Sequence, residues 1–356
     1  MKVCLIELIC RGGMVHYASQ LSNSLMSKKN LDLDIILTND TCTDLFNNKS
    51  IEHIPAIRKN PLGFYNLLKK ILHMNPDIIH TTTTHPWVLI ILPILKIKKI
   101  PLAVTIHDVS PHLGEASLIG KFIKYIYVKH SDLIFVHGEN LKKELVEKEI
   151  PFDKITVIPH GDYSFFTRYK KGYAEEENTI LFFGRILDYK GLDYLIRAEN
   201  LIKKSIKNVK IMIVGEGDLT SYIDLIPDED INNFFIVNKF IPDEQVAQFF
   251  ERAKVVVLPY LEASQSGVIP IAYAFRKPLV ATNVGCLSDI IDDGITGFLI
   301  PPRNVEAISQ SIVTLLSDEN LRKKMGDNAF IKMKNDLSWD TIADKTIDAY
   351  RVVLKL

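Results

Sequence analysis

The chain has 356 residues, enough for two domains, and 47% hydrophobic against 24% charged residues is the balance of a globular protein with a large core. Its 43 basic residues offset its 43 acidic ones, so no nucleic-acid footprint is visible and nucleic acid is excluded as a partner. Cys4, Cys10, Cys42 and Cys286 show no CxxC spacing. They read as reduced, buried thiols of a cytoplasmic protein and not as a disulfide or zinc framework.

Met1-Lys2 runs straight into the apolar residues 3–9, too short and mixed for a signal peptide and fitting a first buried strand. Arg11-Gly12-Gly13 follows, then an amphipathic helix over residues 15–28. Further strands are predicted at 33–37, 77–80, 102–106, 133–136 and 155–158, with helical stretches between most of them. This rhythm implies a doubly wound parallel sheet. Several strands end on a histidine or glycine: His80, His107, His137 and His160 all sit at or just past a strand end, where open parallel sheets bind ligands. Gly12-Gly13 lacks the GxGxxG offsets of a dinucleotide fingerprint. The pair serves either a tight turn or close backbone approach to a ligand.

Asp32-Leu33-Asp34 matches a DxD pattern, but it precedes a strand, whereas metal-binding carboxylates should follow one. No other cluster has metal-ligand spacing, so no metal site is expected. The longest apolar run, residues 87–95, is about half of a membrane span. Residues 118–130 mix aromatics, aliphatics and lysines. They read either as a core-facing helix with a solvated lysine edge or as one resting peripherally on an anionic membrane.

Composition shifts at 162–178, where the polar run 168–178 reads as an exposed linker, after which the rhythm restarts with strands at 180–183, 210–214, 234–237, 255–258, 279–281 and 298–300. The loop after the first of these carries Arg185 and Lys190 at the mouth of a helix. Two cations beside a helix N-terminus at the carboxyl end of a core strand suit a diphosphate. Residues 263–270 lead into a short helix, where Ser264, Ser266 and Gly267 either present backbone N–H groups to an anion or form an ordinary serine cap. The final segment, 337–350, is an amphipathic helix capped by Ser338 or Asp340.

Gly184-Arg185 with Lys190-Gly191, Gly215-Glu-Gly-Asp218, Lys277-Pro-Leu-Val-Ala-Thr-Asn-Val-Gly285, Asp292-Asp-Gly-Ile-Thr-Gly-Phe-Leu-Ile-Pro-Pro302 and the terminal Ser338-Trp339 recur in order. Together they resemble the retaining GT-B-fold glycosyltransferases of the GT4 family, the group 1 type. The resemblance implies an α/β chain of two Rossmann-like doubly wound parallel-sheet domains with a cleft between them. Residues 1–162 would bind the acceptor and 163–337 the nucleotide-sugar, with the helix 338–356 crossing back to the first domain. It implies that Arg185 and Lys190 neutralise the donor diphosphate, that Gly184 and the backbone of Ser266, Gly267 and Val268 cradle it, and that Phe240 and Ile241 lie near the base. Gly12 and Gly13 would approach the diphosphate and His107 the transferred sugar, leaving His16 and His137 for the acceptor.

One departure stands out. The family's Glu-x7-Glu pair falls on Ala263 and Ile271 here, and isoleucine cannot hold a ribose. The resemblance implies a metal-independent transferase, without cofactor, moving a hexose from a nucleotide diphosphate-sugar to a saccharide or lipid-linked acceptor in cell-surface glycan synthesis. A GT-B-fold sugar-nucleotide epimerase and a non-catalytic subunit of a glycan-assembly complex are the alternatives.

Overall fold

The computed structural model describes residues 1–9, 12–38, 40–47, 50–55, 62–109 and 118–356; Cys10, Arg11 and the Cys42 side chain lie outside them. The chain divides into two compact units. One holds the described residues up to Gly161 together with Ser338–Leu356, and the other holds Asp162–Leu337.

The first unit is built on seven parallel strands, β1 (Lys2–Glu7), β2 (Asp32–Leu37), β3 (Ile51–His53), β4 (Ile78–Thr81), β5 (Leu102–Ile106), β6 (Leu133–Val136) and β7 (Ile155–Val157), in the order β3-β2-β1-β4-β5-β6-β7. Their near-continuous apolar runs are those of strands covered on both faces, and helical crossovers supply that cover. Chain order reverses between β1 and β4, the switch point where such sheets open a ligand crevice. The three-residue edge strand β3 has no apolar run of its own and was not expected. The two aspartates of the DxD pattern open β2, at the far end from that crevice, where Asp34 accepts from Ser50 and pairs with Lys2 at 3.3 Å.

The helix Trp339–Leu354 completes this unit. Ser338 caps it by accepting from the Thr341 N–H. Trp339, Ile342 and Tyr350 then enter the core beside Tyr17 and Leu21 of the helix Gly13–Met26. Lys28 reaches Asp340 and Asp344 at 2.6 and 2.7 Å, and Tyr350 meets the buried His80 at 2.6 Å. Among the described residues, no helix is long and apolar enough to cross a membrane. The apolar run at 87–95 lies in the helix Pro86–Ile97, which packs Trp87, Val88, Ile91 and Leu95 inward. The helix Leu118–His130 buries Tyr127, whose hydroxyl donates to the His85 carbonyl, and exposes Phe122 and Tyr125.

The second unit repeats the plan with β8 (Thr179–Phe183), β9 (Lys210–Val214), β10 (Phe234–Val237), β11 (Val255–Leu258), β12 (Leu279–Thr282) and β13 (Gly297–Ile300), in the order β10-β9-β8-β11-β12-β13. Here the switch point falls between β8 and β11. The polar run 168–178 is largely exposed, as expected, while its ends and the residues before it are tied to this unit. Tyr163 and Phe166 join the core of this unit. Glu175 pairs with the buried Lys277, Glu176 pairs with Arg252, and Glu251 accepts from the Lys171 and Gly172 N–H groups. An acidic run looks like a linker in sequence, yet here it answers cations that the second unit would otherwise bury unpaired.

Candidate functional site

In the second unit, the loop from Gly184 to Gly191 leaves β8 at the switch point and is braced from both sides. On one side, the Ile186 N–H donates to the Glu216 carbonyl at 2.8 Å. A Cβ on Gly215 would stand 1.8 Å from the Gly184 carbonyl oxygen, and one on Gly217 would stand 2.2 Å from that of Ile186. On the other side, the Leu261 N–H donates to the Tyr189 carbonyl at 2.7 Å. Gly191, at φ +64°, lies so close to Pro259 that a Cβ would meet its carbonyl oxygen at 2.0 Å. Backbone against backbone leaves this loop little freedom.

That brace sets out the two predicted cations. Arg185 is exposed, while Lys190 is half-buried with its Nζ 3.7 Å from the centre of the Tyr260 ring, a cation–π contact. The Tyr260 hydroxyl lies 3.3 Å from Ser266 Oγ, which also accepts from the Val268 N–H at 3.3 Å. Gly184 faces Val268 across a 3.8 Å gap from its Cβ position. The structure thus brings Gly184, Lys190, Ser266 and Val268 into one neighbourhood, with Tyr260 as a link that sequence reasoning missed. Its signal was an aromatic just past β11. Gly267 has helical φ, and a Cβ there would make only an ordinary 3.6 Å contact with Tyr163, so nothing within the unit demands glycine. Phe240 is 65% exposed beyond β10, and Ile241 is buried beside it. Ala263 and Ile271 both lie in the core, so the position of the family's second glutamate is occupied by packing.

In the first unit, Gly12 has φ +60° and ψ −152°, a region essentially reserved for glycine, and nothing lies within 4 Å of its Cβ position. Gly13 is the exposed first residue of the following helix, and His16 on that helix is buried. Glu7, at the end of β1, was not singled out from the sequence. It accepts from the Ile9 N–H and the Thr82 hydroxyl at 2.6 Å and from the Thr83 hydroxyl at 3.0 Å, bridging the switch point. Burial outweighs these donors and pushes its carboxyl up to about 7.

The strand-end histidines gather. His107, His137 and His160 follow β5, β6 and β7, three neighbours in the sheet, and the Tyr17 ring packs against all three at 5.0, 5.0 and 5.5 Å. His107 Nε2 meets the Thr82 carbonyl and His137 Nδ1 the Ile158 carbonyl, each at 3.1 Å. The two remaining nitrogens face each other at 3.1 Å. Burial pushes His107 down to about 4 and His137 and His80 to about 3. His107 and His137, expected to meet the sugar and the acceptor, here each turn one nitrogen to a backbone carbonyl and the other toward each other. Both leave adjacent strands at buried positions and are turned toward each other.

Residues 165–332 match the family model for glycosyl transferases group 1, and residues 11–161 match that for glycosyltransferase family 4. The chain belongs to the GT4-type glycosyltransferases. This glycosyltransferase is 28% identical over 248 residues to an uncharacterized glycosyltransferase of Methanocaldococcus jannaschii, a match covering 66% of this chain and 63% of the relative. It is 24% identical over 359 residues to CapM of Staphylococcus aureus, a capsular polysaccharide biosynthesis glycosyltransferase, covering 93% and 92% of the two chains. Anabaena HepE, solved in complex with UDP, has a TM-score of 0.78 at 16% identity, covering 99% of this chain and 100% of that one. The fold is GT-B, with two Rossmann-like parallel-sheet domains.

Proposed function

We propose that this glycosyltransferase is a retaining hexosyltransferase. Its second unit holds a nucleotide diphosphate-sugar, and the hexose passes to a saccharide or lipid-linked acceptor in cytoplasmic synthesis of a cell-surface polysaccharide or glycoconjugate. The observation that carries the reading is the braced loop at the switch point, which exposes Arg185 and sets Lys190 over Tyr260, itself in reach of Ser266. Cleaving the sugar–phosphate bond places negative charge on the leaving diphosphate. Preorganised cations and N–H groups there stabilise the transition state more than the ground state. Gly267, which nothing in the unit requires, leaves room for a phosphate against the backbone, and Phe240 offers an exposed ring to a base. The UDP bound to HepE and the capsular role in CapM's name are consistent with such a donor and product.

Among the described residues the group with metal-ligand proximity is histidine, not a carboxylate cluster. The reading takes Arg185 and Lys190, rather than magnesium or manganese, as the charges that answer the diphosphate. In this reading the open backbone of Gly12 and Gly13 leaves room for close approach of a ligand to the first unit.

Binding and turnover measured over UDP-, GDP- and ADP-hexoses, with and without magnesium, test the proposal. One donor should bind and turn over without magnesium, with the anomeric configuration kept in the product by NMR. Inversion of that configuration would refute the retaining chemistry. Ile271 in the core favours one second reading, a non-catalytic subunit of a glycan-assembly complex. Calorimetry showing no affinity for any donor would select it.

A further inference from the structure

The histidine cluster of the first unit has a property that hydrogen bonding alone does not satisfy. A backbone carbonyl can only accept, so His107 must carry its proton on Nε2 toward Thr82, and His137 must carry its own on Nδ1 toward Ile158. The nitrogens left over, His107 Nδ1 and His137 Nε2, then both present lone pairs, and they face each other at 3.1 Å. Two acceptors at that distance repel unless something positive lies between them.

Three further observations narrow what that is. Ligand nitrogens of His107, His137 and His160 all lie within 4.8 Å of one another. Two imidazoles on a tetrahedral ion, at about 2.0–2.1 Å each, stand about 3.3 Å apart, close to the separation here. Histidines that ligate a metal characteristically donate their other N–H to a backbone carbonyl or carboxylate, the arrangement both rings already have. The Tyr17 ring, packed on all three, walls the cluster with an aromatic surface.

We propose that His107, His137 and His160 form a binding site for one divalent transition-metal ion of the zinc type. A set of three imidazoles selects zinc, cobalt, nickel or copper over magnesium or calcium. The ion ties together the carboxyl ends of β5, β6 and β7 and fixes the strand end that carries His107. All three ligands belong to the first unit, whereas the diphosphate reading rests on residues of the second.

The test uses the full chain, stripped of metal by chelation and dialysis. Zinc titrated by competition calorimetry should bind at one equivalent per chain and raise the melting temperature. Cobalt should give visible absorption bands of nitrogen ligation. His137→Gln and His160→Asn should each weaken zinc binding at least roughly 100-fold and abolish the bands, whereas His73→Gln, an exposed histidine of the same unit, should bind as the wild type does. If either ligand variant fails to fold, zinc stoichiometry and the cobalt spectrum of the wild type still decide. Failure of the wild type to bind stoichiometrically, or ligand variants that bind unchanged, overturns the proposal. A nitrogen NMR spectrum showing a proton shared between His107 and His137 in zinc-saturated protein overturns it equally.

Discussion

Arg185 and Lys190 are supported differently, and that bears on how each should respond to substitution. Arg185 is exposed, so Arg185→Ala should leave folding stability within about 0.5 kcal/mol, whereas Lys190→Ala also removes the contact over Tyr260. Each variant should still lower turnover by roughly 100- to 1000-fold, the scale of one lost charge-stabilising donor. Steady-state kinetics with the donor found in the screen checks this, and a loss below threefold removes that residue from the site. Glu7 gives a prediction of a different kind. Its folded pKa is raised to about 7, so the native state holds a proton that the unfolded chain has released. Stability therefore falls as pH rises from about 4.5 to about 7, by on the order of 3 kcal/mol, and levels off above. Glu7→Gln mimics the protonated carboxyl and should flatten that slope in urea unfolding series. An unchanged slope assigns the pH dependence to other groups.

At the scale of elements, the decisive contacts are between loops, not strands. The turn after β9 and the turn after β11 press on the loop after β8 through glycines that cannot carry side chains there. Gly215→Ala would drive a methyl group to 1.8 Å from the Gly184 oxygen at φ +152°, so the turn or the loop must move. We expect a loss of about 2 kcal/mol or more together with weaker nucleotide affinity, because Arg185 sits one residue from the displaced carbonyl. Gly12→Ala meets no atom within 4 Å and should cost only its backbone strain, about 1–3 kcal/mol. Urea midpoints and nucleotide calorimetry on both variants separate crowding from strain. Equal stability of Gly215→Ala and wild type contradicts the bracing.

For the whole molecule, the last helix is part of the first unit's core although the second unit precedes it in the chain. Trp339, Ile342 and Tyr350 pack with Tyr17 and Leu21, and Gly161 approaches Trp339 so closely that a Cβ would stand 2.3 Å from its ring. Deleting Ser338–Leu356 should therefore unfold the first unit while the second, whose core closes with Leu337, keeps its own calorimetric transition. Tyr350→Phe is the gentler version. It leaves His80 Nδ1 without its hydroxyl partner and should cost the first unit about 1–3 kcal/mol. A deletion variant that keeps the wild-type calorimetric profile refutes the assignment.

Local pattern was sufficient for most of the fold. Strands such as Lys210–Val214 and Val255–Leu258 are apolar runs between turn residues, and the helix Leu118–His130 has readable ends, because burial on both faces of a strand or one face of a helix is written into neighbouring residues. The candidate cations were legible for the same reason, lying just past a recognisable strand. The edge strand β3 was not, since an exposed three-residue pairing needs no apolar pattern. The tertiary structure alone decided that Tyr260 carries Lys190 toward Ser266, that Glu7 bridges to Thr82 and Thr83, and that His107, His137 and His160 converge. Those partners stand far apart in sequence or on different loops. Their meeting depends on which strands become neighbours and in what register, and long-range pairing leaves no periodic trace in any one segment.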